Sequence, residues 1–107
     1  MNEPYGRIAE LLDCNLPLFT ALADASRQKI LLIMACQERL SVGELASMTA
    51  LSRPAVSHHI KILKQAGLLL EERDGTKRYY RPTFHDSVIN LKALVDEIVQ
   101  KSALNET

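Results

Sequence analysis

The chain has 107 residues, 47% of them apolar, with four glycines and four prolines, which suits one folded, mainly helical domain and excludes a disordered tail. Thirteen basic and thirteen acidic residues cancel, which argues against a generic polyanion binder, and no run approaches the roughly 18 apolar residues of a membrane span. Two cysteines, Cys14 and Cys36, make no disulfide framework and the first 30 residues hold no leader pattern, so the chain is expected in the cytoplasm.

From Tyr5 to Cys14 the apolar residues Ile8, Leu11 and Leu12 recur at helical spacing, and Pro17 is expected to restart a second short helix carrying Leu18, Phe19 and Leu22. Asp24 or Ser26 can cap the next helix, Arg27 to Cys36, which should end near Gln37. Its Ile30, Leu31, Ile33 and Met34 are dense enough for central core. Ser41-Val42-Gly43-Glu44 is a capping box, in which the Ser41 hydroxyl accepts from the Glu44 amide while the Glu44 carboxylate reaches back to the Ser41 amide. A helix should therefore start at Val42, with Val42, Leu45 and Met48 on its apolar face. Thr49-Ala50-Leu51 turns the chain, and Ser52 caps a helix that tolerates Pro54 in its first turn and stops at Gly67. Two short helices joined by so short a turn form a helix-turn-helix.

Leu68 to Arg73 and Lys77 to Arg81 flank Asp74-Gly75-Thr76, the pattern of a β-hairpin. Phe84, Val88, Leu91, Val95 and Ile98, widened by Leu94 and Val99, stripe a closing helix of about four turns or more. Such a stripe needs a partner, and a chain this short buries only about two-thirds of its unfolded surface alone, so a second copy is expected. The expected fold is mainly α with a small β-hairpin, ordered α-α-α, helix-turn-helix, β-wing, α: a winged helix. It forms a single domain over 1–107, with the helix-turn-helix at 41–66 and the wing at 68–82.

The charge is unevenly spread. Residues 53–81 hold seven basic residues against three acidic, an excess that the rest of the chain reverses. A basic central third fits double-stranded DNA as the partner. On a wheel of about 100° per residue, Val56, Ile60 and Leu63 fall within a roughly 60° core arc, His58 lies roughly 200° from Val56, and His59 lies roughly 300° away beside the core. Ser57 and His58 are then candidates for base edges, and Arg53, Lys61 and Lys64 for phosphates. In the hairpin, Lys77 and Arg78 beside the turn, with Arg73 on the other strand, suit phosphate or minor-groove contact. An ordinary solvated hairpin tip is the plainer alternative.

The stretches LADASRQKILLIM, LSVGELASMTALSRPAVSHHIKILKQAGLL and DGTKRYYR, about residues 16–82, resemble the ArsR/SmtB family of winged-helix repressors. The resemblance implies a homodimer joined through its first and last helices, here 1–23 and 84–104, that represses from an inverted repeat and releases DNA on a chemical signal. One metal site of that family is a Cys-Val-Cys-Asp run at the start of the first helix of the helix-turn-helix. The matching positions here are Ser41, Val42, Gly43 and Glu44, so both thiolates are missing. Of the second site, on the last helix, only His85 matches; Thr83, Asp96 and Val99 occupy the other positions. No metal or other cofactor is therefore expected.

Cys14 and Cys36 are candidates for a thiol sensor by the same resemblance, although their positions match imperfectly and the plainer expectation is two buried small hydrophobes. The effector stays open. An enzyme is not expected, because His58 falls on a convex face with Lys61 and Gln65 and no nucleophile elbow, phosphate loop or paired acids accompany it. The rival class is a winged helix that binds protein and lacks sequence-specific DNA binding, which the neutral net charge favours and the local basic excess opposes.

Overall fold

The computed structural model describes residues 5–105. Helix α1 (Gly6–Leu22) runs through Pro17, so the expected pair of short helices is one helix and, among the described residues, two helices precede the helix-turn-helix. Proline removes the bond to the carbonyl four residues back. Here Asp13 and Pro17 both lie on the exposed side, where water can take that carbonyl, while Leu11, Asn15 and Leu18 are buried on the other. Tertiary packing thereby overrides the local break. The first four positions of the expected segment 1–23 lie outside the described residues.

Asp24 is the residue that caps helix α2 (Ala25–Ala35), accepting from the Arg27 amide at 3.1 Å, and the helix starts at Ala25, not at Arg27. Ile30 and Met34 are buried, and Leu31 and Ile33 pack half-buried against the same cluster. The capping box forms as expected: Glu44 N donates to Ser41 Oγ at 3.1 Å and Ser41 N donates to Glu44 Oε1 at 3.0 Å, opening helix α3 (Val42–Met48). Leu45 is fully buried, whereas Met48, expected on the same face, lies exposed at the helix end. Ser52 caps helix α4 (Arg53–Gln65), which closes in a Schellman motif. There Gly67 has φ of 75°, Gly67 N donates to Lys64 O at 2.9 Å, and Leu68 N donates to Leu63 O at 3.0 Å.

Strands β1 (Leu69–Asp74) and β2 (Lys77–Pro82) pair antiparallel, with Asp74 opposite Lys77 and Gly75-Thr76 as a two-residue loop. Gly75 has φ of 65° and sits first in that loop, the position where a type II′ turn requires glycine. Glu71, Arg73, Arg78 and Tyr80 share one face of the hairpin; Glu72, Asp74, Lys77, Tyr79 and Arg81 share the other. Tyr80 is buried, and its strand is strapped to the α2–α3 loop through Leu40, with bonds of 2.9 Å and 2.8 Å in the two directions.

Helix α5 (His85–Asn105) lies along α1. Leu94 is buried between them, and Asn15 links the pair by donating to Leu11 O at 2.8 Å and to Asn90 O at 3.0 Å. Leu91 of the same stripe packs half-buried against the core, and the remainder is left open: Phe84, Val88, Val95, Ile98 and Val99 are exposed, as are Leu12, Leu16 and Phe19 on α1. No helix among the described residues is long and apolar enough to cross a membrane.

Candidate nucleic-acid interface

The α4 wheel places its residues as the periodicity requires. Val56, Ile60 and Leu63 are buried, while Arg53, Ser57, His58, Lys61, Lys64 and Gln65 are exposed on the other side. This face is open to solvent, as the second helix of a helix-turn-helix is where it enters a groove.

The adjacent histidines separate. His58 is exposed, and its ring centroid stands 5.9 Å from that of His59. His59 is half-buried, with Nδ1 3.3 Å from Arg27 Nη1. A guanidinium has only donors, so in this contact Nδ1 is the accepting atom. Arg27 is itself buried, and it donates through Nε to Ala21 O at 2.8 Å and through Nη2 to Thr20 O at 2.9 Å. One cation thus closes the carbonyl end of α1 and holds the inner edge of α4.

Arg53 folds back over α3. A Cβ built at Gly43 would stand 3.0 Å from Arg53 Nη2, so glycine there leaves the room that this guanidinium occupies. It faces Lys77 and Arg78 across an open cleft of about 560 Å³ floored by the start of α3 and walled by Ser57. A second cleft of about 320 Å³ holds Lys61 and Lys64, with Ser57 and Arg78 on the wall that the two clefts share. Arg53, Ser57, Lys61, Lys77 and Arg78 are therefore brought into one predominantly basic surface running from α4 to the wing, in which Glu44 and Glu71 are the acidic members.

Lys64 and Arg73 are less free than their sequence positions suggest. Lys64 Nζ donates to Glu71 Oε1 at 3.3 Å and lies 5.9 Å from the Tyr80 ring centre, while Arg73 Nε is 3.9 Å from Glu71 Oε2. The hydrogen bond from Lys64 is the main reason that the Glu71 carboxyl is held below its usual range. Lys64 consequently ties α4 to the wing. Sequence reasoning missed Arg39, which donates to Glu72 Oε1 at 3.3 Å and to Asp74 Oδ2 at 2.9 Å. Its partners are 33 and 35 residues away, so no local pattern could have pointed to it.

Both thiols lie exposed, correcting the expectation of burial. In α1 the inward position is taken by Asn15, which leaves Cys14 at the mouth of a cleft with Gln65 and Asp86; Cys36 is the C-terminal cap of α2, past the last buried turn.

Residues 24–70 match the profile of a family described as bacterial regulatory protein, arsR family. Over 98 residues the chain is 36% identical to an arsenic resistance transcriptional regulator of Pseudomonas putida, a match that spans 87% of this chain and 74% of that protein. The solution structure of a homodimeric winged helix-turn-helix DNA-binding domain from Mycobacterium bovis superposes with a TM-score of 0.69 at 29% identity, covering 100% of this chain and 96% of the other. An ArsR-like transcriptional regulator from Rhodococcus shares the fold, with a TM-score of 0.75 at 23% identity over 92% of each chain.

Proposed function

The chain belongs to the ArsR family of bacterial regulatory proteins and is a DNA-binding transcriptional regulator, not an enzyme; from that premise we propose that it acts in the cytoplasm as a homodimeric repressor on an inverted-repeat operator. In this reading the exposed face of α4 enters the major groove, Ser57 and His58 meet base edges, and Arg53 and Lys61 hold phosphates. Lys77 and Arg78 meet phosphate or minor groove beside it, and Arg73 stands behind them on the same hairpin. The carrying observation is the predominantly basic surface from α4 to the wing in a chain of zero net charge. The open apolar stripes of α1 and α5 support dimerisation through 1–23 and 84–104 within a single domain over 1–107. A dimer would set two α4 helices about one helical turn of DNA apart.

Titration of the DNA upstream of its own gene at two salt concentrations tests this reading. Affinity should fall steeply with salt, and scrambled DNA should bind at least about a thousandfold more weakly. Equal binding to both sequences would refute it. The exposure of Cys14 and Cys36 supports a thiol-linked release signal, since oxidants reach a thiol only where solvent does. Mass spectrometry after peroxide or persulfide treatment, with DNA affinity measured in parallel, should show modification and weaker binding together; unmodified thiols would remove the signal.

A further inference from the structure

The wing carries three carboxylates, Glu71, Glu72 and Asp74, beside the cations set against phosphate. Left bare, they would repel the DNA backbone at close range. Glu71 is held by Lys64. Glu72 and Asp74 share Arg39, a residue of the α2–α3 loop, whose Nη1 and Nη2 each take one of them at 3.3 Å and 2.9 Å while the guanidinium carbon lies 4.0 Å over the Tyr79 ring. All three partners stand on the same face of the hairpin, because Glu72 is opposite Tyr79 and Asp74 is two residues further along the strand. A planar fork can bridge two carboxylates and stack on a ring at once, which a lysine ammonium cannot. The next residue, Leu40, is bonded in both directions to Tyr80, so the loop that carries Arg39 is fixed to the wing. Lys77 and Arg78 form no ion pair among the described residues.

We propose that Arg39 is a positioning residue for DNA binding: with Arg81, which stands 3.7 Å from Glu72, it offsets the charge of Glu72 and Asp74, and it pins the hairpin, so that these two acids do not compete with phosphate for Lys77. The proposal rests on the wing meeting DNA. Arg39 needs no contact with DNA itself.

The test is fluorescence anisotropy on a random-sequence duplex and on the upstream DNA, with folding checked by circular dichroism. Arg39→Ala should weaken binding to both duplexes several-fold at low salt, as expected for the loss of one positive charge about 10 Å from phosphate. Combining it with Glu72→Gln and Asp74→Asn should restore most of the affinity, because the acids that Arg39 masks are then gone. Arg39→Lys should fall between. Lys77→Ala is the control for the wing. If Lys77→Ala weakens binding while Arg39→Ala does not, or if the amide substitutions fail to rescue a folded Arg39→Ala protein, masking is overturned and the wing reading stands. If neither change weakens binding, the wing does not meet DNA and both fall.

Discussion

Arg27 offers the sharpest test of how the helix-turn-helix is held. Replacing it with methionine keeps much of the buried stem and removes the guanidinium, which donates to Ala21 O, Thr20 O and His59 Nδ1. Hydrogen bonds from a charged donor contribute about 1.5–3 kcal/mol each. The two carbonyls differ, however. Ala21 is fully buried and would be left without this donor, whereas Thr20 is exposed and can turn to water. Methionine also escapes the cost of burying a charge. The expected loss is therefore that of one buried bond plus a small remainder, about 2–3 kcal/mol. Urea unfolding followed by circular dichroism, at one fixed protein concentration because a dimer's stability depends on it, measures this as a lower midpoint with an unchanged slope. His59→Ala should cost about 1 kcal/mol, and the double variant should cost less than the sum, since the two residues share one contact. A loss below about 0.5 kcal/mol for Arg27→Met, the scale of a surface change, would refute the claim that this cation closes the end of α1.

Replacing Ser57 and His58 together by alanine should cut discrimination between the operator and scrambled DNA by about tenfold or more, whereas Lys77→Ala should weaken both equally and reduce the salt slope by about one; identical behaviour in the same titrations would undo the division of roles. Gly43→Ala brings a Cβ to 3.0 Å from Arg53 Nη2 and should push that side chain off α3, lowering DNA affinity several-fold in an anisotropy assay with no loss of thermal stability. Glu44 is held below its ordinary value of 4.5, first by the hydrogen bond with the Ser41 backbone and then by that with the Ser41 side chain. A carboxyl depressed in the folded state contributes stability that is fully present above its unfolded value and lost as pH falls through the folded one. The stability gap between the native protein and Glu44→Gln should thus be constant above about pH 5 and narrow below it; a gap unchanged at about pH 3 would contradict the capping box as its source. Val95→Glu puts a charge into the open stripe of α5, and sedimentation should then show monomer, against the dimer expected of the native chain.

The sequence by itself determined the helix-turn-helix, its caps, the hairpin and the outward face of α4. Those features rest on interactions three or four residues apart or on a strict period: Ser41 with Glu44, Ser52 with Ala55, and Val56 with Ile60 and Leu63. The candidate surface of α4 and the wing was legible for that reason, because the two follow one another along the chain, whereas Arg39, which braces the wing from the α2–α3 loop, was not. Tertiary structure alone decided the rest. Pro17 reads locally as a break, yet α1 passes through it because packing of Leu11 and Leu18 outweighs one missing bond on a wet face. Cys14 and Cys36 read as small hydrophobes, yet exposure depends on which face meets a neighbouring helix, and that neighbour is distant in sequence. Arg27 with His59, and Arg39 with Glu72 and Asp74, join residues more than thirty positions apart. A charged side chain finds such a partner only after the core has set the distance between them.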